Sequence, residues 1–357
     1  MKIRPFHLIT GASLALTGGT LAHEHHVLEG KAKDGIRAVD PSLFIKENLV
    51  EEIKTEEREL SDGSKALCYV IKTKTQPSEH SMGPWSPKTI TDGKEKGGIW
   101  FKDGKVYDVT GPFLANLAKF YDDPEWKVYN DDGTIKTTDT KEAFEAAARP
   151  NVDPKYKNHV VEGKPEWYPD VKTTYVIPVK PVYNKNASSF GRGPLGLAFN
   201  GVRYDPPAPV EAIIGSYTIA PLDDGGGHLN PHEGYHYHEA TGKTKEVQQS
   251  DQHAPMIGYA LDGFAIYAHF DGEGKAPEGL DECGGHSDEL RGYHYHVGAP
   301  GSNQIIKAFR GTAGTVSVEG VMADQHPPRG GQGHPRGPRP DGPPPQGGRP
   351  DGPPPGR

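Results

Sequence analysis

Seventeen histidines are spread unevenly along the 357 residues, and nine of them fall between His228 and His296. Within that stretch Gly-Tyr-His-Tyr-His stands twice, at 234–238 and at 292–296. In an extended chain alternate side chains share a face, so His236 and His238 point one way and Tyr235 and Tyr237 the other. The second copy repeats this with His294 and His296. Two such strands brought together would converge four imidazoles on one centre. Neutral imidazole suits Cu or Zn, and after them Fe or Ni, whereas an oxygen-seeking ion such as Mg does not match it. The competing reading is structural: a histidine pair can serve to satisfy buried loop carbonyls. Repetition at fixed spacing favours the metal.

The flanks extend the repeat. "DDGGGHLNPHEGYHYH" from Asp223 lies over "DECGGHSDELRGYHYH" from Asp281 without a gap, 58 residues on, which pairs His228 with His286. Each of these comes seven residues before its tyrosine, near a Gly-Gly-His turn, and is placed to complete or buffer the site. Upstream, "GLAFNGV" from Gly196 echoes "GYALDGF" from Gly258, 62 residues later. The pattern reads as a tandem duplication of one β-rich unit, about 194–250 and 256–312, with the copies packed in pseudo-twofold symmetry because each alone is too small to bury much surface. His253 and Asp262 lie between the two motifs and are the candidates for a catalytic role. Asp262 either makes an Asp-Gly turn or orients a ligand histidine and handles a proton.

These strands need a scaffold, and composition predicts its class. With 46 Gly and 34 Pro the chain is poor in helix-forming material, so the expected fold is mainly β, an antiparallel sandwich or barrel-like domain with a small helical insertion at about 110–165. Strands are expected in "ALCYVIKTK" and "TTYVIPVKPVY", and helices in "GPFLANLAKFYDD" and "TKEAFEAAA". "VYNDDGTI" is a poor calcium loop, lacking the first acid and the closing Glu, and reads as a hairpin turn at Asp132-Gly133. "GRGPLG" holds a proline and runs into a strand, so it is no dinucleotide fingerprint. No nucleophile elbow is present.

Residues 1–22, basic at Lys2 and Arg4 and ending in small residues, read as a signal peptide cleaved after about Ala22. No later stretch is apolar enough to span a membrane, so the expected location is secreted or periplasmic. Residues 23–60 form an N-terminal extension, 61–323 the main domain, and 324–357 a disordered Pro/Gly-rich tail that repeats "RPDGPPP". Cleavage after Ala22 would leave His-Glu-His-His at the amino terminus, where the amine of His23 and the ring of His25 can wrap Cu(II) or Ni(II). The signal and the tail each carry a surplus of two positive charges, so the body holds −12 of a formal net −8, which argues against nucleic acid or anionic lipid as partner. A small molecule or a cell-surface component remains as the expected partner. The two cysteines, Cys68 and Cys283, fit an oxidising compartment either as one disulfide or as two thiols.

The paired motifs, "GPLGLAFNGVRYDP", "HAPMIGYALDGFAIY" and "LDECGGH" together resemble the bacterial secreted YHYH-domain family over roughly 68–311. Within the resemblance "TQPSEHSMGPW" looks like the family's early segment ending in a histidine, which adds His80 to the candidate ligands His228, His236, His238, His253, His286, His294 and His296. A cysteine commonly precedes the family's final Arg-Gly segment, and here Ala308 stands in "KAFRG", so Cys283 lacks the partner the resemblance implies. The resemblance carries no settled activity. Three functions remain: a secreted metalloprotein with an open coordination position, a metal-free extracellular binding or structural module, and a copper or zinc sequestration protein.

Overall fold

The period-two alternation of buried tyrosine and histidine requires a strand covered on both faces, and the computed structural model supplies it in the middle of a mainly β fold. It describes residues 30–138, 140, 143, 159–163, 171–191, 193–230 and 233–319. The expected signal peptide, the His-Glu-His-His terminus, nearly all of "TKEAFEAAA" and the tail lie outside the described residues. Numbered in chain order, β1 (Lys54–Glu59), β2 (Lys65–Lys74), β6 (Lys172–Pro178) and β18 (Val316–Glu319) make a four-stranded antiparallel sheet in the order β1-β2-β6-β18. Six further strands form three two-stranded pairs: β3 (Ile99–Lys102) with β4 (Lys105–Asp108), β5 (Val160–Val161) with β10 (Thr218–Ile219), and β7 (Tyr183–Ser188) with β17 (Phe309–Gly311).

The remaining strands form the sheet that carries the histidines. They are β8 (Gly196–Ala198), β9 (Arg203–Tyr204), β11 (Gly227–Asn230), β12 (Gly234–Tyr237), β13 (Met256–Ala260), β14 (Ala265–Tyr267), β15 (Gly285–Asp288) and β16 (Gly292–His296), in the order β11-β12-β9-β8-β13-β14-β16-β15. At its centre β8 and β13 run antiparallel, with Leu197 opposite Tyr259, Gly196 opposite Ala260 and Ala198 opposite Gly258. Outward from there each half is a hairpin, a parallel pairing (β9 with β12, β14 with β16) and a second hairpin. The outer hairpins share one register: Gly227 faces Tyr237 and His228 faces His236, as Gly285 faces Tyr295 and His286 faces His294. The sheet is open and mixed. It does not close as a barrel because β11 and β15, which would have to meet, stand at opposite ends.

One core joins the two large sheets: Ile71, Tyr175 and Ile177 pack with Leu197, Tyr235, Tyr259, Ile266 and Tyr295. A satellite core of Trp100, Leu114, Leu117, Trp126 and Val128 lies with the helical turns Gly111–Ala115 and Leu117–Phe120, where the sequence pattern predicts helix. A further short helix, Val210–Gly215, has no counterpart in those expectations; its Ile213 and Ile214 pack on that same satellite core. Asp132 accepts from the Thr134 amide and hydroxyl at the expected Asp-Gly turn. Cys68 and Cys283 are both buried free thiols, and they sit in different core clusters. Burial pushes the Cys283 thiol up to about 11. Among the described residues no helix is long and apolar enough to cross a membrane.

The strand entrances depend on glycine. Gly234 (φ 74°) and Gly292 (φ 64°) occupy the left-handed region, and a Cβ at either would stand 2.2 Å from Thr75 Oγ1 or from the Gly35 carbonyl oxygen. Beyond them, the tyrosines take bonded partners on the core face. Tyr235 donates to Asp223 at 2.8 Å and Tyr237 accepts from Asn200 Nδ2 at 2.8 Å. Tyr293 donates to Asp281 at 3.1 Å and Tyr295 to Asp262 at 2.5 Å, while the Tyr295 oxygen accepts the Arg310 amide at 2.7 Å. Tyr295→Phe therefore leaves the buried Arg310 amide without its acceptor, while Asp262 keeps its two backbone donors, and should cost about 1–3 kcal/mol in urea unfolding. Tyr237→Phe should cost less, because Asn200 Nδ2 also reaches Glu79 at 2.5 Å. Equal losses would contradict this account of the anchors.

Candidate metal centres

The face of β12 opposite the tyrosines carries His236, with His238 just past the strand end. His228 is the cross-strand neighbour of His236 on β11. His236 donates through Nδ1 to the Gly234 carbonyl at 3.0 Å, and His238 through Nδ1 to the Pro206 carbonyl at 2.5 Å. A carbonyl only accepts, so both rings keep their proton on Nδ1 and present a bare Nε2 lone pair. Those lone pairs converge on His228: its Nε2 is 3.0 Å from that of His236 and 3.2 Å from that of His238. One proton from His228 could bridge one of these contacts, never both. Burial holds the pKa of His228 and of His238 well below the ordinary value, and the neighbouring imidazoles add to it, so charging the cluster with protons is unfavourable. His228 Nδ1 is buried without a partner; with the His228 proton there, three bare nitrogens would converge, the donor set a soft-to-borderline cation requires.

Asp205 and Glu233 extend this first centre, and the sequence reading missed both. Asp205 Oδ2 lies 3.8 Å from His236 Nε2, and its other oxygen is held at 2.5 Å by Arg203 Nε. Asp205, Glu233 and His236 bring their ligand atoms within 4.8 Å of one another. A signal was available: "RYDP" puts Asp205 two residues past Arg203, which pairs with His236 across β9 and β12.

The second centre is built on β15 and β16 in the same way and has one more imidazole. His286 donates through Nδ1 to the Glu278 carbonyl at 2.8 Å, His294 to Gly292 at 2.9 Å, His296 to Ala268 at 2.9 Å and His253 to Ala254 at 3.1 Å. All four rings have spent their single proton on a backbone carbonyl. The four Nε2 atoms nevertheless face one another: His286 and His294 are 3.1 Å apart, His294 and His253 3.2 Å, and His296 Nε2 is buried without a partner. All four ligand atoms fall within 4.8 Å of one another. Burial and nearby charge disfavour protonation here too. The pKa of His294 is well below the ordinary value, that of His296 is pushed down to about 3, and that of His253 is lowered by burial and by the Arg291 guanidinium. Four imidazoles without protons between them fit a tetrahedral ion.

The expected single centre of His236, His238, His294 and His296 does not form. Between β12 and β16 lie β9, β8, β13 and β14, and at about 4.8 Å per strand the two motifs stand on the order of 24 Å apart. Each motif instead recruits its own hairpin partner, His228 or His286. His253 joins the second centre from the loop before β13. His80 joins neither: it sits on the tyrosine face, its Nε2 3.4 Å from the Tyr235 hydroxyl and its Nδ1 3.5 Å from Glu79. Burial works against its charge, but Glu79, Asp223 and Asp224 outweigh it and raise its pKa. Asp262 is also on that face, where it accepts from Tyr295, from the Gly311 amide at 2.9 Å and from the Phe264 amide at 3.3 Å, and burial raises its pKa to about 6. It closes the Asp-Gly turn and receives a tyrosine. Nitrogen-15 NMR of the metal-free protein should show the rings of His236, His238, His253, His286, His294 and His296 carrying a proton on Nδ1. A bare Nδ1 on any of these rings would contradict the geometry.

The search among curated proteins and that among solved structures returned no match to this chain. Residues 174–278 match the family described as YHYH protein. The matched stretch takes in the first motif, His253 and Asp262, and ends before the second motif. The chain thus carries a YHYH-family domain across residues 174–278.

Proposed function

We propose that this is a transition-metal-binding protein that holds ions at two separate imidazole centres, one of His228, His236 and His238 with Asp205 in reach, the other of His253, His286, His294 and His296. The observation that carries the reading is the commitment of the Nδ1 protons to backbone carbonyls while the Nε2 atoms crowd to about 3 Å. A purely structural histidine cluster would alternate donors with acceptors; in the second centre acceptor faces acceptor, and in the first His228 can donate to only one of its two neighbours. Zn and Cu match the donor set best, followed by Fe and Ni. Carbonyl acceptors on Nδ1 are the usual outer partners of a metal-bound histidine and raise its basicity toward the ion. We read the two centres as products of one duplicated unit, about 194–250 and 256–312. Export through residues 1–22 would bring them to an oxidising compartment, with 324–357 as a solvated tail.

The test is metal content of the untagged full-length protein. Two equivalents of Zn or Cu are expected, with His228→Ala losing one, His286→Ala weakening the other by at least about a hundredfold, and the combined variant near zero. Each ion should also add about 2.7 kcal/mol of stability at a hundredfold excess over its Kd. A protein that takes up no metal, and whose melting temperature ignores added Zn and Cu, would overturn the proposal in favour of a metal-free module.

A further inference from the structure

Resting on the reading of the second centre as a metal site, we infer that the cleft outside it is the route by which the cation reaches and leaves the four imidazoles, so that this ion exchanges with solution. Three of the four rings, those of His253, His286 and His296, line a cleft of about 370 Å³, and His294 lies behind them. His296 is only 5% exposed, and its Nε2 has no partner. The outer wall carries His269, Asp271, Glu273 and Lys275.

The charge of this wall selects what enters. Asp271 spends one oxygen on the amides of Glu273 and Lys275, at 2.9 and 2.8 Å, and Glu273 pairs with Lys275. Asp251, also in the lining, pairs at 2.5 Å with Arg291, which binds Asp288 at 2.8 Å as well. Three carboxylates, those of Asp251, Asp271 and Glu273, thus line the cleft against the one ammonium of Lys275, a field that repels anions and draws cations inward. His269 donates through Nδ1 to the Val297 carbonyl at 3.1 Å, so its Nε2 is a bare lone pair on the same wall and outside the four-ring group. It is placed as a first, temporary ligand. An ion steered by the acids would meet His269 and then be taken over by the three imidazoles that line the cleft.

The experiment uses full-length His228→Ala, in which only the second centre loads, and follows Zn(II) transfer to and from a chromophoric chelator by stopped flow. Uptake should slow as salt rises, because screening shortens the reach of the carboxylates. Adding Asp271→Asn and Glu273→Gln should slow uptake about threefold to tenfold at low salt and flatten the salt dependence, with the number of bound ions unchanged. The Asn oxygen still caps the turn, so folding is preserved. His269→Gln should slow uptake and release together and leave the affinity as it was. Rates that ignore salt and all three substitutions would overturn the route while leaving the metal site standing, as would a loss of affinity in His269→Gln that made it a permanent ligand. Failure of this protein and of the wild type to bind Zn at all would remove the underlying reading, and the route with it.

Discussion

The bonds between the motif tyrosines and the side chains that receive them hold the histidine strands in place. A strand that slipped by one residue would exchange its faces, burying imidazoles among Tyr259, Ile266 and Phe264 and turning tyrosines toward the histidine side. Asp223 and Asp281 prevent this from one end of each motif, and Asn200 and Asp262 from the other. Because the three aspartates are themselves tied to tight turns at Gly225, Gly227, Gly285 and Phe264, the tyrosine hydroxyls lock strand to loop as well as strand to core. The histidine faces inherit that precision. The Nδ1 atoms of the motif histidines meet carbonyls of the same strand or of the neighbouring parallel segment.

The two halves use one frame for different ligand sets. Sixty-two residues separate Asp205 from Tyr267, and the strands that lead into these residues pair with their motifs in parallel in the same way. In the first half that position gives a carboxylate beside His236, backed by Arg203. In the second it gives an aromatic ring packed on His253, His294 and His296, with centroids 4.7, 5.0 and 5.9 Å away. His253 then supplies the fourth donor that the first half lacks. In the second cluster the Nε2 lone pairs face one another, an electrostatic penalty that a cation between the nitrogens would remove. An ion bound there would add its binding free energy to the stability of the fold.

Much of this is legible in the order of the residues. Strand alternation alone separates histidines from tyrosines, the gapless offset pairs His228 with His286, and Gly and Pro content points to short strands and loops. These are local properties, set within a few residues by backbone geometry and turn chemistry. Strand order is not local. That four strands intervene between the two motifs follows from the central pairing of β8 with β13 and from two parallel pairings, each made between segments tens of residues apart. Which neighbour a strand chooses is decided by the shared core, so the tertiary structure alone split the imidazoles into two centres, brought His253 and Asp205 to them, and left His80 and Asp262 on the face of the tyrosines.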